Sequence, residues 1–246
     1  VLERLKELIR AGVIEEVGDG VVCALSPLFA VAKPDGSLRI VVDFRRLNSI
    51  LEDYPHPTGD LELELAKVPG SVDTFTSIDL TSGFHQVRLG ERASNLTGFA
   101  VGNRIFRFCR LPMGIKVGPA VFCDAVRRSL RGIAEECGWA ADSYLGTYID
   151  DLLLGTRGVG EHARCLQDLL LRFLKHRVYY KPKKCAIAKQ SVRFLGFDLQ
   201  RGQVAIPEST RAKIRALPEP SNPKELLGGL GLINFVRNFS KKVVEL

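Results

Sequence analysis

Apolar residues at positions 2, 5, 8 and 9 follow the spacing of one helical face, and Gly12 is a stop for that helix. Strand patterns come next. Residues 28–33 and 38–44 are apolar and β-branched, and Pro34-Asp35-Gly36-Ser37 between them has hairpin-turn chemistry, which would bring Lys33 and Arg39 near each other. Residues 55–59 read as an irregular linker, Asp60 as the cap of a short helix ending at Ala66, and residues 74–80 as a strand. A short strand is expected over 86–89, then a hairpin of 97–101 with 104–109 about Gly102-Asn103. After a loop holding Pro112, Gly114, Gly118 and Pro119, the pattern predicts a helix over 120–137 and a strand pair over 143–154 interrupted by two aspartates. An amphipathic helix over 161–176 follows, then a hairpin of 192–199 with 203–206. From Pro207 the character changes to a short helix from Glu208, a Pro218-Glu219-Pro220 break, and a helix capped by Asn222 with Pro223 at its first position. This tail reads as a small helical subdomain.

Hairpins mixed with helices point to an α+β fold with an antiparallel sheet rather than a doubly wound parallel one, and no Gly-rich phosphate loop argues otherwise. The 246 residues, 46% hydrophobic and 26% charged, suffice for one large core or two smaller ones. A net charge of +7, from 35 Lys and Arg against 28 Asp and Glu, suits a polyanionic partner without demanding one. The six cysteines are far apart, with no C-x-x-C pair, so they read as reduced and mostly buried rather than as a metal site. No apolar run approaches the roughly 18 to 20 residues that cross a bilayer, and no signal sequence opens the chain. Beginning at Val1 without a methionine, the chain is expected to be a piece of a longer protein.

The sharpest chemistry lies at Tyr148-Ile149-Asp150-Asp151. In a continuous strand, adjacent side chains point to opposite faces, and one aspartate would be driven into apolar surroundings. A tight turn between two short strands avoids this and lets both acids face a divalent cation, whose hard character suits carboxylate oxygens. Asp79 ends another apolar strand before the reversal Thr81-Ser82-Gly83-Phe84. Three carboxylates delivered this way can hold two Mg²⁺ ions roughly 3.5 to 4 Å apart, the arrangement that serves phosphoryl transfer.

Read in order, several segments resemble the reverse transcriptase of gypsy-like long-terminal-repeat retrotransposons, and more distantly the retroviral enzyme. They are Lys33-Pro34-Asp35-Gly36-Ser37-Leu38-Arg39, Val42-Asp43-Phe44-Arg45-Arg46-Leu47-Asn48, Ser77-Ile78-Asp79-Leu80-Thr81-Ser82-Gly83-Phe84-His85-Gln86, Leu111-Pro112-Met113-Gly114, Pro119-Ala120-Val121-Phe122, Tyr148-Ile149-Asp150-Asp151 and Phe194-Leu195-Gly196. The resemblance implies a right-hand polymerase, with fingers mainly in 1–72, palm in 73–90, a fingers and palm connection in 91–118, palm with a primer-grip hairpin in 119–206, and a partial thumb in 207–246. It implies that Asp79, Asp150 and Asp151 are catalytic and hold two Mg²⁺ ions, with Mn²⁺ as a substitute.

Nucleotide contacts implied by the resemblance are Lys33 and Arg39 on the triphosphate, Phe84 as a steric gate beneath the sugar, and Leu80, Met113 and Gly114 around them. Tyr148, Lys181, Lys183, Lys184, Phe194, Leu195 and Gly196 fall where the family meets primer and template. Met113 and Lys116-Val117-Gly118 depart from the gypsy-type pattern. The implied partners are an RNA template, a DNA primer, their duplex and deoxynucleotides, with ribonuclease H and other polyprotein domains outside this chain, no membrane, and cytoplasmic particles as the location. Two rivals stay open: a palm-type polymerase that makes RNA, against which Phe84 argues, and a catalytically silent module that binds nucleic acid.

Overall fold

In the computed structural model, residues 2–32, 38–54, 61–80, 83–149, 151–201 and 203–237 are described. In chain order the elements are α1 (Leu2–Arg10), β1 (Ile14–Val17), β2 (Leu28–Ala32), β3 (Leu38–Val42), α2 (Arg45–Ile50), α3 (Leu61–Ala66), β4 (Thr74–Asp79), α4 (Glu91–Asn95), β5 (Phe99–Val101) and β6 (Arg104–Phe108). They continue with α5 (Gly118–Leu130), α6 (Ile133–Glu136), β7 (Tyr144–Tyr148), β8 (Asp151–Thr156), α7 (Val159–His176), β9 (Ala186–Lys189), β10 (Ser191–Phe194), β11 (Phe197–Gln200), β12 (Gln203–Ala205), α8 (Glu208–Arg215) and α9 (Pro223–Val236). Every strand pair within the described sheets is antiparallel, as the hairpin-rich pattern predicts.

The chain divides into two units, each made of three segments. The first takes Val1–Thr58, Leu80–Ile133 and Leu169–Lys181. Its sheet has the order β1-β6-β5, and β2 pairs with β3 beside it. Alternation along β6 turns Phe106 and Phe108 inward, where Phe99 stacks on Phe106 at 5.5 Å between ring centroids and Phe44 meets Phe108 edge-on. Leu5 of α1, Ile14, Val42 and Leu47 close this core.

The second unit takes Gly59–Asp79, Ala134–Asp168 and Pro182–Leu246, and holds a four-stranded sheet of order β7-β8-β4-β9 and a three-stranded one of order β10-β11-β12. Leu152, Leu153 and Leu154 are all fully buried, so β8 is apolar on both faces and reads as a continuous run. On the first half of α7, the buried His162 lies with Nε2 2.6 Å from Thr76 Oγ1 and Nδ1 2.9 Å from Thr156 Oγ1, while Thr76 also accepts from the Ala188 N–H in the bulged edge strand β9. Asn222 caps α9 by accepting from the Glu225 N–H, as its position predicts. At the other end of that helix, Phe235 stacks on Phe197 at 4.9 Å.

Several expectations need correction. The expected strand at 86–89 shrinks to one bridge between Arg88 and Arg110, because Gln86 still belongs to the 3₁₀ turn Gly83–Gln86, where its side chain bonds both the N–H and the carbonyl of Tyr179. Gly118 and Pro119 open α5 instead of belonging to the loop, since proline at the first turn gives up no helical bond. Gly132, with φ of 74°, breaks the single helix expected over 120–137 into α5 and α6. The hairpin expected of 192–199 with 203–206 is three strands, because Leu195 and Gly196 both take positive φ and fold the segment back. Of the cysteines, all outside disulfides, only Cys123 and Cys165 are buried. The pattern also missed α2, α4 and β9, each six residues or shorter.

Candidate active site

Two carboxylates meet at one end of the four-stranded sheet. The buried face of β4 and the buried run of β8 fix the pairing of those strands, and that register sets Asp79 opposite Asp151. Tyr148 is the partner of Asp151 on the other side. Asp150 itself lies outside the described residues. The turn that leads to it begins at Ile149 with φ of 54°, a left-handed conformation that a β-branched residue rarely adopts and that persists only where the surrounding fold imposes it. Ile149 is thus strained where β7 ends, and β7 and β8 stay paired up to Tyr148 and Asp151 on either side of it. Gly146 belongs to the same arrangement, because a Cβ there would run into the ring of Tyr144, whose hydroxyl donates to the Glu64 carbonyl at 3.0 Å.

Like charges placed directly opposite across a strand pair repel each other, so this register calls for a cation. One is already drawn to it: Lys184 Nζ, at the end of the 3₁₀ turn Pro182–Lys184, lies 3.1 Å from Asp79 Oδ2. Next to it, Cys185 hydrogen-bonds the Asp79 backbone, and burial pushes its thiol pKa up. The donor set is hard oxygen, and it fits a magnesium-like ion better than a thiophilic metal. Among the described residues no group of three possible ligands is found, with Asp150 outside them.

The candidate nucleotide contacts fall in the first unit. Leu80 is buried. Phe84 is half-buried against α5, its ring 5.6 Å from that of Phe122 and close to Gly118. A Cβ at Gly83 would come within 2.8 Å of the Phe122 ring, so glycine is required there for Phe122 to support Phe84. Met113 is 47% exposed, and Gly114 takes φ of 89°. Asn48 holds that loop at both ends, donating to the Gly114 carbonyl and accepting from the Lys116 N–H, each at 2.8 Å. Arg39 lies in β3 opposite Val31, with its side chain outside the described residues, as is all of Lys33.

Of the candidates for primer and template, Phe194 is buried in the core of its unit, Leu195 is half-buried and packs against that core, and Gly196 is exposed. Gly196 has φ of 85°, and a Cβ on it would meet the Phe235 ring at 2.8 Å. Tyr148 is half-buried, Lys181 is half-buried, and Lys183 and Lys184 are exposed. Sequence reasoning assigned no role to Asn48 or Phe122, although both lie in quoted motifs, and it did not single out His162.

A model of the family described as reverse transcriptase (RNA-dependent DNA polymerase) matches residues 31–199. The Transposon Tf2-3 polyprotein of Schizosaccharomyces pombe is 28% identical over 244 residues, 99% of this chain and 18% of the relative, and the Tf2-7 polyprotein is 27% identical over the same length. Among solved structures, the foamy viral protease-reverse transcriptase in complex with dsDNA superposes with a TM-score of 0.81 at 26% identity, covering 98% of this chain and 48% of that one. The same viral protein with an RNA/DNA hybrid gives 0.76, covering 95% of this chain and 30% of that one. The chain thus spans less than a fifth of the curated relatives and less than half of these structures. Its mixed helical and antiparallel content is that of the right-hand polymerase class.

Proposed function

Because the chain belongs to the reverse transcriptase (RNA-dependent DNA polymerase) family, we propose that it copies an RNA or DNA template into DNA by adding deoxynucleotides to a primer 3′-hydroxyl, with pyrophosphate leaving. The observation that carries this reading is the register that sets Asp79 opposite Asp151 at the open end of a buried strand pair. The family is generally divalent-metal dependent, and Asp79, Asp150 and Asp151 are the residues that would hold two Mg²⁺ ions. Mn²⁺ is a chemically reasonable replacement. When bound, such ions activate the attacking hydroxyl and neutralise the leaving oxygen.

The remaining work falls to the chain's own side chains. Lys33 and Arg39 supply positive charge toward the triphosphate as its negative charge shifts. Phe84, braced by Phe122, crowds a 2′-hydroxyl and selects deoxynucleotides. Lys181, Lys183 and the Leu195-Gly196 turn position the primer strand through its backbone, without reading sequence. The foamy viral relative has been solved with dsDNA and with an RNA/DNA hybrid. The same duplexes are the partners proposed here, with ribonuclease H and other polyprotein domains lying elsewhere in the parent.

Extension of a labelled DNA primer on an RNA template tests the reading, with Mg²⁺ and either deoxy- or ribonucleotides, beside Asp150→Asn. Deoxynucleotide-specific extension that the variant loses while keeping its fold is the expected result. Undiminished extension by Asp150→Asn would overturn the assignment, and equal use of ribonucleotides would favour an RNA-synthesising enzyme.

A further inference from the structure

The contact between Lys184 and Asp79 is unusual in what it joins, since the acid already faces a second carboxylate. Asp79 and Asp151 are held opposite each other by strands whose buried residues, Ile78 on one side and Leu152, Leu153 and Leu154 on the other, leave the backbone no room to separate them. Two like charges in that register destabilise the strand pair unless a cation lies on them. The Lys184 ammonium supplies one, 3.1 Å from Asp79 Oδ2. Its side chain is 60% exposed against 28% for Asp79, so the lysine reaches in from solvent on a flexible stem and can swing away without unpacking anything. An ammonium brings one charge and three donors, whereas a hard divalent ion brings two charges and takes several oxygens at once. Both compete for the same carboxylate.

We propose that Lys184 is a positioning residue that serves as the counterion of the acid pair in the metal-free enzyme and is displaced by the divalent ion, so that it sets the site's metal affinity. This rests on the metal-dependent reading above. Whatever the lysine contributes to the metal-free state is subtracted from metal binding, because the ion binds only the state from which the ammonium has withdrawn. Removing the ammonium therefore moves two quantities in opposite directions. The metal-free protein becomes less stable, and the metal binds more tightly. A partly exposed pair of this kind corresponds to between about 1.5- and 5-fold in affinity.

The test is Mn²⁺ binding by paramagnetic resonance titration on the full chain, with thermal unfolding measured without metal and at saturating Mn²⁺. The variants are Lys184→Ala, Lys184→Gln, Lys184→Arg, Lys183→Ala and Asp79→Asn. Lys184→Ala and Lys184→Gln are expected to bind Mn²⁺ more tightly, unfold at a lower temperature without metal and gain more from its addition. Lys184→Arg should stay near the parent. Lys183→Ala removes the same charge one residue away and should leave binding unchanged, which separates the contact from a general charge effect. If Asp79→Asn abolishes binding but both neutral Lys184 variants bind like the parent or more weakly, the counterion role is wrong and the metal site stands. If the parent binds no Mn²⁺, or Asp79→Asn binds as well as the parent, the metal-dependent reading fails and takes this proposal with it.

Discussion

His162 shows how much one side chain can tie together away from the acids. Its ring is buried between Thr76 of β4 and Thr156 of β8, so α7 is pinned to two strands of the sheet by one donated and one accepted bond. Burial lowers its pKa below the ordinary 6.5, with the Asp73 charge opposing more weakly. The folded-state value being the lower one, the unfolded chain takes up a proton first as pH falls through 6.5, and stability declines from there until the folded value is reached. His162→Gln is therefore expected to lose about 1 to 3 kcal/mol at pH 8, and to show a shallower further loss at pH 5.5. Urea unfolding midpoints at the two pH values check this; His85, also lowered by burial, keeps its own slope in both proteins. The acids were legible in the sequence because no core explains aspartates at the ends of apolar runs. His162 was not, because its two partners lie 86 and 6 residues away, and a histidine within a helical pattern carries no mark of what it will meet.

At the scale of elements, the turns decide what the periodicity leaves open. Apolar runs mark β4, β7 and β8 and helical spacing marks α7, but neither could show that Leu195-Gly196 folds 192–199 into two strands, because nothing in the apolar pattern marks a leucine for positive φ. The same conformation at Ile149 has the more pointed consequence, since it stands one residue before Asp150. Left-handed backbone disfavours a residue with a Cβ by roughly 1 to 2 kcal/mol, and glycine's own flexibility returns part of that. Ile149→Gly is thus expected to be as stable as the parent or up to about 1 kcal/mol more stable, while primer extension falls because the turn is no longer held in one shape. Thermal unfolding and steady-state extension measured on the same preparation check it. Unchanged extension would mean the strain is tolerated and serves nothing.

For the whole molecule, the important fact is that neither unit is a single stretch of chain. The α+β class and the order of the motifs could be read from residues alone, but the apolar pattern gives no sign of how far apart in sequence the partners of one core lie. β1 pairs with β6, some 90 residues on by its register Glu15 to Arg107, and Phe44 completes its core with Phe99 and Phe108. A fragment of residues 1–58 is accordingly expected to show no cooperative unfolding transition by circular dichroism, despite containing Leu5, Ile14, Phe44 and Leu47 of that core. The interleaving also sets a timetable for synthesis. On the ribosome the first unit waits for residues 169–181 and the second for the segment from 182 onward, so the nascent chain carries two unfinished cores at once while residues 59–181 are being made. Its apolar segments then need shelter by chaperones over that interval, and a slowdown in elongation between residues 59 and 169 would lengthen the exposure of both.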